Sequence, residues 1–95
     1  MAEKTEKRYR ITVSGRVQGV FFRYNTRKMA QNLGLVGYVT NIDDGRVEIV
    51  VQGSEENLKK LVEFCRKGPM FARVDDIEVK EEKTGNEFEG FEIRY

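Results

Sequence analysis

The chain has 95 residues, one cysteine, one proline and neither histidine nor tryptophan, and its 17 Lys and Arg against 16 Asp and Glu leave a net charge of +1. That length sustains one domain with a small core, and the balanced charge excludes the broad basic field that draws proteins to nucleic acid or anionic lipid. A lone cysteine closes no internal disulfide, no apolar run reaches the length of a signal or membrane segment, and the missing histidine removes the usual general base and the commonest metal ligand.

These readings imply a reducing, cytoplasmic setting without membrane association, in which any anion recognition is local. Residues 1 to 7 are polar and unpatterned and read as a flexible end, leaving 8 to 95 as the domain. From Arg8 to Ser14 the chain alternates: Tyr9, Ile11 and Val13 point one way and Arg10, Thr12 and Ser14 the other, the period of a half-buried strand. Phe22, Thr26, Met29, Ala30 and Leu33 then follow the spacing of one helical face.

Between strand and helix lies Gly15-Arg16-Val17-Gln18-Gly19-Val20-Phe21-Phe22-Arg23. Glycine tolerates positive φ and close approach of a ligand, so main-chain N–H groups of residues 15 to 20 are placed to form an anion-binding nest at the start of the helix. Arg23 adds a charged fork that matches two phosphate oxygens. The candidate phosphate-binding set is therefore Gly15, Arg16, Val17, Gln18, Gly19, Val20 and Arg23.

Gly34 followed by Leu35 predicts a left-handed C-cap, and Val36 to Asn41 a second strand. Asp43-Asp44-Gly45 reads as a hairpin turn into a third strand, where Val47, Ile49 and Val51 alternate with Glu48, Val50 and Gln52. Ser54 is a candidate N-cap, with Glu55 and Glu56 in the first turn of a helix whose apolar stripe is Leu58, Leu61, Val62 and Cys65. Gly68-Pro69 ends it. Ile77 and Val79 mark a fourth strand, Thr84-Gly85-Asn86 a turn, and Phe91, Ile93 and Tyr95 a short final strand.

The order predicts an α+β fold, the ferredoxin-like βαββαβ sandwich: an antiparallel sheet with two helices on one face and a short terminal strand. In that topology the first two strands are parallel with the third between them, so their C-terminal ends lie about 10 Å apart at the same end of the sheet. One ends in the glycine-rich turn and the other at Asn41.

A nest with an arginine neutralises a phosphoryl group, and positioning of this kind is the main contribution a protein makes to phosphoryl transfer. Asn41 cannot act as a base, but its amide can accept one hydrogen bond from water and donate another. With no general acid, the leaving group must depart unprotonated. An acyl phosphate satisfies this, because its carboxylic acid has a pKa of about 4 to 5. Cys65 reads as core, Ser14 and Thr26 as residues without an activating base, Asp43 and Asp44 as turn residues, and Phe22 and Tyr38 as packing.

At these residues the chain resembles the acylphosphatase family. The resemblance is carried by Val13-Ser14-Gly15-Arg16-Val17-Gln18-Gly19-Val20-Phe21-Phe22-Arg23, Leu33-Gly34-Leu35-Val36-Gly37-Tyr38-Val39-Thr40-Asn41, Asp44-Gly45-Arg46-Val47-Glu48, Gly68-Pro69 with Ala72 and Val74, and the closing Phe91-Glu92-Ile93-Arg94-Tyr95. It implies hydrolysis of carboxyl–phosphate bonds without a cofactor, with Arg23 binding phosphate and Asn41 orienting water; the missing histidine and the lack of a convincing carboxylate cluster lead us to expect no metal either. Because the nest reads the tetrahedral anion whatever the acyl group, inorganic phosphate is expected as product and competitive inhibitor, and the chain is expected to be a monomer. Tyr38 departs from the tryptophan often found there.

Two other readings use the same fold. One is a non-catalytic anion-binding domain. The other is an RNA-binding module, since Lys67-Gly68-Pro69-Met70-Phe71-Ala72-Arg73-Val74 faintly resembles an RNA-recognition strand, although Pro69 cannot donate to a central ladder.

Overall fold

Residues 6–95 are described by a computed structural model, in which seven elements follow one another: β1 (Glu6–Arg16), α1 (Phe22–Asn32), β2 (Val36–Asn41), β3 (Val47–Ser54), α2 (Glu55–Lys67), β4 (Arg73–Glu82) and β5 (Phe91–Arg94). Of the end expected to be flexible, residues 1–5 lie outside the described ones. Glu6 and Lys7 belong to β1, where they pair with Ser54 and Gly53, and the Lys7 ammonium lies 2.9 Å from Glu55. Charged residues at a strand start carry no period, so the pairing was not visible in their sequence.

The strands form one sheet in the order β4-β1-β3-β2-β5. β1 pairs antiparallel with both β3 and β4, and β3 lies between the parallel β1 and β2, as the ferredoxin-like reading requires. The antiparallel sheet of that reading carries one parallel pair: the short terminal strand β5 runs parallel to β2, so the sheet is mixed. A two-fold period identifies a strand but is silent about its partner's direction.

Alternation then decides the layers. Ile11 and Val13 from β1, Val39 from β2 and Val47, Ile49 and Val51 from β3 are fully buried on one face, where they meet Phe22 and Ala30 of α1 and Leu58, Leu61 and Cys65 of α2. Each large aliphatic or aromatic chain in this cluster contributes about 1.5–3 kcal/mol by leaving water. Burial pushes the Cys65 thiol up to about 12, which makes it an inert core residue.

Helix ends follow the local chemistry. Gly34, at φ 69°, donates to Gln31 O and Leu35 donates to Ala30 O, which is the Schellman pattern. The Ser54 hydroxyl accepts from the Asn57 N–H at 3.3 Å, with Glu55 and Glu56 in the first turn of α2.

The opposite face carries paired polar chains. Arg10 lies between Glu48 at 2.9 Å and Glu82 at 2.6 Å, and the nearly buried Arg8 grips both carboxylate oxygens of Glu87, at 3.0 and 2.6 Å, while its guanidinium stacks 4.7 Å from the Phe88 ring. Gln52 accepts from Arg8 Nε and from the Gly85 N–H, and donates to the Gly85 carbonyl. Arg8 and Gln52 thus hold the connection between β4 and β5 against the sheet.

The Arg8 guanidinium lowers the Glu87 carboxyl to about 2. A depressed native pKa stabilises above the unfolded value of 4.5 and is lost as pH falls through the native one. Amide resonances of Gly85 and Phe88 should therefore move as this clasp opens between about pH 4.5 and 2, and Arg8→Met should abolish that transition. A segment still docked well below pH 2 would show that the Arg8–Glu87 pair does not hold it.

Candidate active site

The turn between β1 and α1 is shaped by two backbone devices. At Gly15, φ is 128° and a Cβ would collide with the Arg73 carbonyl oxygen, at the point where the β1–β4 register shifts between Ser14 and Gly15. This glycine therefore serves close contact with β4, and Gly15 and Arg16 belong to the paired end of β1, opposite Val74 and Arg73. The turn proper is Val17 to Phe21. Val17 and Val20 anchor it by burying their side chains.

Its second device is Phe21, the N-cap of α1, which adopts the left-handed conformation at φ 61° and ψ 22°. A bulky residue there is uncommon and strained. A left-handed residue followed by right-handed Phe22 turns successive N–H groups toward one side. No side chain caps this helix and its first turn holds no acidic residue, in contrast to Ser54, Glu55 and Glu56 on α2. The leading N–H groups of α1 thus have neither an intrahelical acceptor nor a capping oxygen.

Arg23 stands in that first turn, half-buried, with its guanidinium 4.8 Å from the Tyr95 ring centroid. Among the described residues no carboxylate lies within ion-pair distance of it. Its charge is therefore available to a ligand. Val17, Gly19, Phe21, Arg23, Ile93 and Tyr95 are among the walls of an open depression of about 290 Å³. Gly19, at φ 73°, has open space where a Cβ would stand.

Asn41 ends β2 opposite Val47 and lies two residues after Val39, hence on the helix-bearing side. It is half-buried, and its Oδ1 is a buried acceptor without a partner among the described residues. Such an atom costs about 1–3 kcal/mol of desolvation unless a donor reaches it, so water is its natural partner.

Of the residues expected at the site, Val17, Gly19 and Arg23 share this depression. Gly15, Arg16, Gln18, Val20 and Asn41 do not line it. Gln18 instead acts through its side chain: Nε2 donates to Ile42 O at 2.9 Å and to Arg46 O at 3.0 Å. One amide thereby ties the cradle turn to the segment that follows Asn41. Ile93 and Tyr95 were missed as site residues because only β2–β5 pairing brings the end of the chain beside α1.

Asp44 has its expected turn role, with Oδ2 2.7 Å from Arg46 Nε and Oδ1 accepting from the Arg46 N–H. That main-chain donor, with the guanidinium, holds its carboxyl below the usual carboxylate range. Thr26 is fully buried on α1, and Tyr38 lies on the sheet's other face under the Arg94 guanidinium, 4.0 Å from its ring centroid.

Gln18→Ala should loosen the link between turn and hairpin. We expect kcat to fall about tenfold, the equivalent of about 1.4 kcal/mol in the transition state. The fold should persist, because Gln18 lies outside the core. An unchanged kcat would make the tie irrelevant to catalysis.

A family model described as Acylphosphatase matches residues 9–93. A curated acylphosphatase of Rubrobacter xylanophilus is 51% identical over 88 residues, which cover 93% of this chain and 80% of that protein. The crystal structure of acylphosphatase from Bacillus subtilis superposes with a TM-score of 0.90 at 45% identity, covering 94% of this chain and 99% of that one. An acylphosphatase structure from Coxiella burnetii gives 0.91 at 38% identity, over 99% and 100% of the two chains.

Proposed function

Because the chain belongs to the acylphosphatase family, we propose that it hydrolyses the carboxyl–phosphate bond of small acyl phosphates, with Arg23 and the turn preceding α1 holding the phosphoryl group. The observation that carries this assignment is the uncapped, left-handed start of α1 beside an arginine that has no carboxylate partner among the described residues. Donors and charge converge there on an anion.

Water supported by the free Asn41 Oδ1 attacks phosphorus on the side opposite the acyl oxygen. The new P–O bond forms as the acyl–O–P bond breaks. The bonding pair leaves with the carboxylate, and the water's proton passes to a phosphate oxygen. Arg23 and the N–H groups neutralise the equatorial oxygens throughout. No protein acid is needed, because the leaving carboxylate is a weak base with a conjugate acid pKa of about 4 to 5.

Inorganic phosphate is then both product and competitive inhibitor, since the cradle reads the tetrahedral anion. The RNA-binding reading has less support. Lys67 ends α2, Pro69 to Ala72 form a turn closed by Ala72 N–H to Pro69 O, and β4 begins only at Arg73 and lies at the sheet's edge. On the open sheet face the Tyr38 and Phe88 rings are engaged by the Arg94 and Arg8 guanidinium groups, at 4.0 and 4.7 Å, instead of standing free for bases to stack on. The lone cysteine supports a reducing, cytoplasmic setting, and among the described residues no helix is long and apolar enough to cross a membrane.

Acetyl phosphate should release inorganic phosphate in the presence of the chain and a chelator, added phosphate should inhibit competitively, and an alkyl phosphomonoester should be inert. Turnover of the monoester at a comparable rate, or turnover restored only by a divalent cation, would overturn the mechanism.

A further inference from the structure

We propose that the apolar groove lined by Phe21, Tyr24, Pro69, Met70 and Phe71 is the acyl subsite, and that it takes uncharged aromatic or long aliphatic acyl groups in preference to acyl groups bearing a second anion. This rests on the phosphate assignment above and extends it to the other half of the substrate.

The groove has a volume of about 290 Å³ and adjoins the phosphate depression, with Phe21 and Tyr24 in the walls of both. A substrate anchored by its phosphoryl group would extend its acyl group from the cradle, and this groove is the apolar surface adjoining it. A cavity of about 150 Å³ accommodates benzene, so an aromatic acyl group fits.

Its lining carries no charged side chain. The polar Asn25 amide already donates to the Phe21 carbonyl at 2.9 Å. A carboxylate or second phosphate there would lose water and find no cation, which is costly, whereas a ring would lose only unfavourable hydration.

The groove also gathers four of the six exposed large hydrophobic residues among those described: Phe21, Tyr24, Met70 and Phe71, with Phe21, Met70 and Phe71 at 76%, 79% and 77% exposure. A concentrated exposed apolar patch marks a contact surface. Phe21 and Phe71 are, moreover, the two non-glycine residues at positive φ among those described, 61° and 75°. Both rings are held outward on strained backbone and neither contributes to the core.

Phenylacetyl, acetyl and succinyl phosphates test this, because their leaving carboxylates are of similar basicity and the acyl group is the main variable. The wild-type chain should show a KM for phenylacetyl phosphate about tenfold below that for acetyl phosphate, with succinyl phosphate poorest. Phe71→Asn, chosen because asparagine tolerates left-handed backbone, and Met70→Ser should each raise the phenylacetyl KM about five- to tenfold. Their constants for acetyl phosphate should stay within about twofold, which also shows that the variants fold.

An unaltered phenylacetyl-to-acetyl ratio in both variants would overturn the subsite, as would parallel losses on both substrates. Sedimentation distinguishes the remaining occupant: variants that change self-association but not the substrate ratio would make the groove a contact between copies and overturn the proposal. If the wild-type chain hydrolysed none of the three, the phosphatase reading would fail together with the subsite. Hydrolysis without acyl discrimination would sink the subsite alone.

Discussion

Arg23→Ala should lower kcat/KM for acetyl phosphate by on the order of a thousandfold, about 4 kcal/mol of transition-state stabilisation, with both KM and kcat affected. The guanidinium would contact the phosphoryl oxygens before and during transfer, so its loss is felt in binding and in chemistry. The fold should survive, because among the described residues Arg23 meets no carboxylate and stacks only on the exposed Tyr95, a contact worth about 0.5–1 kcal/mol. Lysine at this position should restore little, since an ammonium lacks the planar fork. Steady-state kinetics with a thermal melt decides the matter: a folded, fully active Arg23→Ala variant would remove the proposed site.

Asn41→Ala should separate binding from attack. We expect kcat to fall by about a hundredfold or more while phosphate inhibition constants stay near wild type, because water placement matters mainly in the transition state. Stability gives an independent check. The Asn41 Oδ1 is buried without a partner among the described residues, so its removal should leave the melting temperature unchanged or slightly raised. If activity were lost together with stability, Asn41 would be supporting the strand end instead of a water. A near wild-type kcat would dismiss the water-orienting role.

The legible parts of this molecule are those whose residue types answer to a local rule. Val36–Asn41 was read to the residue because a glycine cap precedes it and a turn follows it. Ser54 was recognisable as a cap from the two glutamates after it, and the stripe Leu58, Leu61 and Cys65 from helical spacing. Gly15 was legible as special from its type alone, but the neighbour that requires it was not: the space a Cβ would take is filled by the backbone of β4.

Long-range polar contacts were silent. Arg8 and Glu87 are 79 residues apart, and nothing in either neighbourhood announces the partner. Likewise Gln18 reads as one more residue of an anion loop until the Ile42 and Arg46 carbonyls stand within reach of its amide. The left-handed Phe21 had no glycine or asparagine to mark it.

The strand order has a consequence for behaviour at high concentration. An open sheet leaves two rows of unpaired N–H and C=O groups, on β4 and β5, and such rows are templates for intermolecular strand addition. β5 is only four residues long, with Glu92 and Arg94 alternating along it. β4 runs for ten residues, and Arg73, Asp75, Asp76, Glu78, Lys80, Glu81 and Glu82 fill it with charge. A second copy approaching either margin must strip water from these charged groups before a strand can add, which is costly. The margin of the sheet is thus protected by its composition, and the apolar strands most prone to stacking, β1, β3 and β2, are enclosed between the two charged ones.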